Sequence, residues 1–419
     1  MNNKIIAFDF LRALAILMII PAHLSNFLFS TYTKLGLYAF DPYFANMGLG
    51  LFIFMSGYLL YYNNNSITSS KGILSFYKKR LLRIFPLYWA ALGTFVLVFF
   101  IFASKLNSSF VFPNAENVFS FSNMIVHILG LQIFLAPAYA SPMLTLYFIG
   151  LIIVFYALYP FLIMFSKNTR QFLLVSLITF LGFLIASRTL NIIEHRFFMF
   201  FPIFISGILT CKESLFEKSW TKILDMPVFK ILIAGLPVIF VLIIVLGSRV
   251  ILFLDPKVSF TIESSGSGSL GSAMLVSILK GTAGSLGLNY TTLKFVIEAL
   301  MLNLFSIVFC AFEYRLAMKF IDNNLPSFLS SIFTYVATAS YCIYLFHRPF
   351  FTLWNAGTDF ITNSLLRDVV LICMAIPLLF VISYRIQEFE FSLKEYFSYR
   401  RISSKELSLS RFIRTLINQ

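Results

Sequence analysis

About ten apolar runs of bilayer-spanning length dictate what this chain can become; they fall near 5–29, 43–63, 84–104, 143–165, 171–188, 195–211, 229–247, 291–312, 330–354 and 366–385. Hydrocarbon offers no water to satisfy backbone N–H and C=O groups, so each run has to close its hydrogen bonds internally, as a helix. The expected fold is all-α: a polytopic transmembrane helical bundle of about ten spans. Of 419 residues, 59% are hydrophobic and only 12% charged, too few charges to coat a soluble fold of this size. A further apolar piece at 122–136, holding His127 and Gln132, is short and runs into the proline-broken APAYASP. It reads as re-entrant or interfacial rather than spanning.

The net charge of +14 has no soluble basic domain to sit on, so nucleic acid is not an expected partner and the charge is read as topology. With the N-terminus inside, the cytoplasmic segments collect most of the 32 Lys and Arg. Among them are Lys71, Lys78, Lys79, Arg80 and Arg83 after the second run, and Lys394, Arg400, Arg401, Lys405, Arg411 and Arg414 near the end. Both termini are expected in the cytoplasm of a multi-pass cell-membrane protein, with one transmembrane domain over 1–397 and a short basic tail over 398–419. The first run lacks a small-residue cleavage pattern and carries Pro21 and His23, so it reads as a true span. Gly247–Tyr290, rich in Ser and Gly, is expected outside, as a disordered loop or as a lid. Cys211, Cys310, Cys342 and Cys373 show no metal-ligand spacing and read as packing residues, and no metal is expected.

Within the first run, Asp9, Arg12 and His23 are the polar exceptions. The eleven-residue step from Arg12 to His23 turns a helix through about 1100°, three turns and roughly 20°, so both emerge on one face about 16 Å apart. Asp9 shares that face. Such groups are expensive against lipid and are expected to face protein or a water-filled cavity; a pair snorkelling to the headgroups plus a packed histidine is the alternative.

Two later stretches carry comparable information. In SSKGILSFYKKRLLRIFPLYW, Lys79, Arg80 and Arg83 precede a span, with Arg80 and Arg83 on one helical face. This is a positive-inside signal, or a pair of guanidinium forks suited to phosphate. In SYCIYLFHRPF, Ser340, Tyr344 and His347 fall at i, i+4 and i+7 on one face, with Arg348 and Pro349 behind. The topology brings His347 to the depth of His23, as a second site histidine or as one hydrogen-bonded between helices. His195, beside Arg196, reads as an interface residue, and His127 as local to its re-entrant segment.

These residues resemble the integral-membrane acyltransferase-3 family, which includes O-acetyltransferases of bacterial cell-surface polysaccharides. Asp9, Leu11, Arg12 and Ala15, with His23 after ten intervening residues, resemble its opening signature. FIFMSGY at Phe52–Tyr58 is similar to its FFxxSGF run, and Arg80 and Arg83 match its Arg-x-x-Arg, followed by Ile84, Pro86 and Tyr88. Phe155, Tyr156, Tyr159 and Pro160 resemble FYxxYP, and SYCIYLFHRP resembles SYxxYLxHxP. Two features depart from the pattern. Where many members carry a Trp and a Glu ahead of FYxxYP, this chain has Tyr147 and apolar Leu151 to Val154, so no catalytic carboxylate is carried over. Near the end, Glu388 fits a family Glu-x-Pro, but Glu390 occupies the proline position. No fused esterase-like domain is expected.

The resemblance implies transfer of an acyl group, acetyl in the first instance, from cytoplasmic acetyl-coenzyme A to a hydroxyl of a cell-surface glycan or lipid-linked sugar. Arg80, Arg83 and Lys79 would hold the donor phosphates, Arg12 would meet the donor on its way in, with Asp9 beside it as a further catalytic candidate, and His23 would act as base or carry the acyl group itself. His23 would stand about 27 Å from the inner end of its helix, a length of the order of a pantetheine arm. His347, Tyr344 and Ser340 are further candidates. The rival is a transporter or flippase of a glycan or lipid-linked sugar, with Asp9, Arg12 and His23 lining the path.

Overall fold

The computed structural model of the chain describes residues 6–24, 41–65, 69–102, 118–143, 145–166, 168–213, 290–318 and 326–417, with 67, 281, 284 and 285. Among these every regular element is helical. In chain order they are α1 (Ile6–Leu24), α2 (Asp41–Asn64), α3 (Ser70–Phe102), α4 (Phe121–Ile128), α5 (Gln132–Leu135), α6 (Tyr147–Met164), α7 (Thr169–Leu190), α8 (Arg196–Glu213), α9 (Tyr290–Leu316), α10 (Ser327–Gly357), α11 (Ser364–Val370) and α12 (Ile376–Ile417).

Seven segments among the described residues are long and apolar enough to cross a membrane: 6–24, 44–64, 70–101, 147–164, 169–190, 327–357 and 364–396. The expected spans at 195–211 and 291–312 fall on α8 and α9, and α8 carries Arg196, Lys212 and Glu213 at its two ends. The span expected at 229–247 and the Ser/Gly-rich loop lie outside the described residues, save for scattered positions of the loop. The basic stretch ahead of the third span is helical from Ser70 onward, so Lys79, Arg80 and Arg83 stand on the same continuous rod as the span. Leu371–Ala375 forms a single π turn between α11 and α12, and α12 continues through the expected tail to Ile417.

α1 lies between α2 and α10, while α2 packs against α8 on its other side and α10 packs against α3 and α12. The α2–α8 crossing rests on two glycines. A Cβ on Gly57 would fall on the Phe204 carbonyl oxygen, and a Cβ on Gly207 on the Phe54 carbonyl oxygen. Lipid tails are as apolar as Leu, so helices in a bilayer gain from close backbone approach rather than from burial, and small residues permit it. Around the crossing Phe155 stacks on Phe204 at 4.9 Å and Phe197 on Phe201 at 5.1 Å. α7 is mostly exposed, its apolar faces left for lipid, and its ends follow sequence rules: Asn168 caps the Gln171 N–H at 2.9 Å, and Asn191 turns left-handed at φ 52°.

The segment at 122–136 becomes the short helices α4 and α5, joined through Gly130 at φ 73° and far too short to cross. α3 holds it: the Tyr88 hydroxyl donates to the His127 carbonyl at 2.8 Å and the Trp89 indole to the Ile128 carbonyl at 2.9 Å. Gln132 donates to Tyr88 and to the Leu146 carbonyl, so the irregular backbone is satisfied within the protein.

The crossing makes a direct prediction. Gly207→Val should destabilise the protein by about 1–3 kcal/mol, as overpacking does. Gly93→Val, at a position with nothing within 4 Å, should not. Thermal unfolding in detergent compares the two, and an unchanged midpoint for Gly207→Val would remove the crossing from the account.

Candidate functional site

Between α1, α2, α3, α6, α10 and α12 lies a cavity of about 430 Å³. Asp9 anchors it. Only 2% exposed, Asp9 accepts from Arg12 Nη1 at 3.1 Å through one oxygen and from the Thr334 hydroxyl at 3.0 Å through the other. α10 is thereby tied at Thr334 to the start of α1, and Arg12 is aimed into the space with 30% of its side chain exposed. Arg80 enters from α3, its guanidinium 5.4 Å from the Phe76 ring and 5.6 Å from the Tyr156 ring. Such stacking orients a cation while leaving its N–H edges for a ligand. Arg83 also faces the cavity, within electrostatic reach of Arg12, and makes no ion pair among the described residues.

α12 closes the same space with Gln387, Glu390 and Lys394. Glu390 pairs with Lys394 and accepts from Gln387 at 3.1 Å. These three share one helical face at i, i+3 and i+7, a spacing that was available in the sequence, although Glu390 is noticed there only as a departure from a proline. The wall thus carries Arg12, Arg80, Arg83 and Lys394 against Asp9 and Glu390, both already engaged, so its potential favours an anion.

Lys79 does not join them. One residue before Arg80 it points about 100° round α3 and is exposed, because consecutive helical positions cannot share a face. Ser340 and Tyr344 do line the cavity. Ser340 spends its hydroxyl on the Ala337 carbonyl at 2.7 Å, a bond within its own helix. The Tyr344 hydroxyl donates to the Thr145 carbonyl at 2.5 Å, and its ring packs on Phe148 at 5.1 Å, so this aromatic pair ends the cavity.

Beyond that pair the two expected histidines meet. His23 of α1 and His347 of α10 stack with ring centroids 5.0 Å apart and planes inclined by 13°. His347 is fully buried, and its Nδ1 lies 2.8 Å from the Tyr344 carbonyl and 3.2 Å from that of Ile343. A carbonyl accepts only, so Nδ1 carries the proton and the Nε2 lone pair stands buried without a partner. Arg348 Nη2 lies 3.5 Å from His23 Nδ1. Nearby, Arg196 sits 3.9 Å over the Tyr147 ring while the buried Glu194 holds both Arg196 and His195. Sequence reasoning left Arg348 and Glu194 unused, since neither belongs to a recurring motif and both are placed by tertiary packing.

His127 belongs elsewhere. Its Nδ1 donates to the Asn123 carbonyl at 2.8 Å and its Nε2 accepts from the Met143 N–H at 3.0 Å, while burial pushes it below its ordinary value and so keeps it neutral. Both ring nitrogens are committed to holding the α4–α5 segment against the chain ahead of α6. Among the described residues no group of three or more His, Cys, Asp or Glu has the geometry to hold a metal ion.

In comparison with known proteins, a family model described as an acyltransferase domain matches residues 5–384. No curated protein and no solved structure matches the chain.

His127→Ala should strand the Met143 N–H and destabilise the protein by about 1–3 kcal/mol. Chemical unfolding followed by tryptophan fluorescence measures this, and a loss near zero would contradict the structural role.

Proposed function

The chain belongs to the integral-membrane acyltransferase-3 family, and from that premise we propose that it moves an acetyl group from cytoplasmic acetyl-coenzyme A to a hydroxyl of a cell-surface glycan or lipid-linked sugar. Being a membrane acyltransferase rests on the family and on the apolar helices. Donor, acceptor and orientation belong to the proposal. One observation carries it: α1 sets Arg12 into a cavity that Arg80 and Arg83 of α3 also line, and about 16 Å further along carries His23 into a stack with His347 of α10.

In this reading both termini and the Arg80/Arg83 end of the cavity face the cytoplasm. The donor's phosphates meet Arg80 and Arg83, whose forks match phosphate oxygens, with Arg12 deeper in. The pantetheine arm lies along the apolar wall formed by Met55, Ile149 and Ile152 towards Tyr344 and Phe148, which have to part for the thioester to reach His23. A glycan hydroxyl arrives from the opposite side. His23 takes the hydroxyl proton as the oxygen attacks the thioester carbon, and the thiol of coenzyme A leaves with that proton. His347, with its proton held on Nδ1 by carbonyls, backs the His23 ring and limits its rotation. The transport reading shares the intramembrane charges but not the family.

Two experiments on purified protein test this. Arg80→Ala and Arg83→Ala should each weaken acetyl-coenzyme A binding, on the order of 1.5–3 kcal/mol for a lost charge-assisted contact, with expression intact. Calorimetric affinities equal to the parent's in both variants would reduce the pair to a topology signal. His23→Ala should bind the donor as the parent does yet lower acyl transfer by roughly 10² to 10⁴, the range for a lost general base. Parental transfer by His23→Ala in proteoliposomes would sink the assignment of the base.

A further inference from the structure

Arg348 is a cation in the wrong place for a structural residue. It is 6% exposed, nine residues short of the end of its helix, and pairs with no carboxylate among the described residues. Among the described residues its Nε has no hydrogen-bond partner, and its polar contact is the long approach of Nη2 to His23 Nδ1 at 3.5 Å. A buried guanidinium without a counter-charge carries a large desolvation penalty, which a neutral imidazole edge does not offset. Such a group is accounted for if negative charge forms beside it at some stage of the working cycle.

The proposed reaction forms such a charge once. A hydroxyl that gives its proton to His23 must sit about 2.6–3.2 Å from a ring nitrogen, and a group at Nδ1 is also within reach of Arg348. Proton transfer alone would leave an imidazolium against a guanidinium, two cations repelling each other in a medium of low dielectric. The carbonyl oxygen of the attacked thioester removes that conflict by becoming negative in the same step. We infer that Arg348 is a catalytic residue that binds the oxyanion of the tetrahedral intermediate formed beside His23. The inference rests on the acyl-transfer reading above. The hydroxyl oxygen bonds the carbonyl carbon, its proton goes to His23, and the carbonyl π pair moves onto oxygen against Arg348. On collapse the pair returns, the C–S bond breaks, and the thiolate of coenzyme A takes the proton back from His23.

The test uses the full chain in nanodiscs with acetyl-coenzyme A as donor and water standing in for the acceptor, followed by release of coenzyme A. Arg348→Gln should lower release at saturating donor by roughly 10² to 10³, the range for a lost oxyanion donor, with half-saturation within about twofold of the parent. Arg348→Lys, which keeps the charge without the fork, should recover part of the loss. Removing an uncompensated buried charge should leave the thermal midpoint of Arg348→Gln at or above the parent's, and Arg348→Met provides a second, apolar check. Parental release by Arg348→Gln would overturn the inference and point to a fixed anionic group on the natural acceptor. A loss seen only as a raised half-saturation, or collapse of both neutral variants, would also overturn it in favour of donor binding or structure. If the parent releases no coenzyme A, the acyl-transfer reading fails and this inference with it; an active parent with an equally active Arg348→Gln removes this inference alone.

Discussion

The ion pair between Asp9 and Arg12, shared with Thr334, is the contact on which the rest of the site depends. A carboxylate buried among apolar helices is tolerable only when its lone pairs are taken, and here they are taken by two different helices. The requirement draws α1 and α10 together at one level, and their further course then sets His23 against His347. The same pair leaves Arg12 with its remaining N–H groups directed into open space. One polar contact therefore fixes both the mouth of the cavity and the register of the residues beyond it.

That the polar groups of the first helix form one face was legible from periodicity alone, because hydrocarbon penalises every other arrangement. The meeting of His23 with His347 was legible as a shared depth, although not as a stack, since ring orientation is set by the Tyr344 and Ile343 carbonyls that hold His347. Lys79 shows where a cluster read as a unit breaks apart: adjacent cations in sequence are separated by a hundred degrees in space. Lys394 and Glu390 show the converse. Two residues near the chain's end, read as tail charge and as a motif defect, become part of the wall because α12 folds back on α10. Arg348 was visible only as a neighbour of a motif, and its meaning comes from its burial without a carboxylate partner among the described residues, a fact of packing that a sequence does not display.

The two buried histidine environments show how the chain separates scaffold from chemistry. His127 has both ring nitrogens bonded to backbone and can neither give nor take a proton without breaking the turn it holds. His347 has one nitrogen committed and one lone pair left over, and His23 meets a cation rather than an acceptor. Identical side chains differ in function according to how many of their hydrogen-bonding sites the backbone has already claimed.

The glycines at the α2–α8 crossing bear on how the molecule is made. Gly57 and Gly207 stand 150 positions apart, and at about 5–20 residues per second the ribosome takes roughly 8 to 30 s to synthesise the interval. Throughout that time α2 presents a groove shaped for a backbone that does not yet exist. The close approach that the two glycines permit is therefore a contact made late, between parts of the chain synthesised far apart in time.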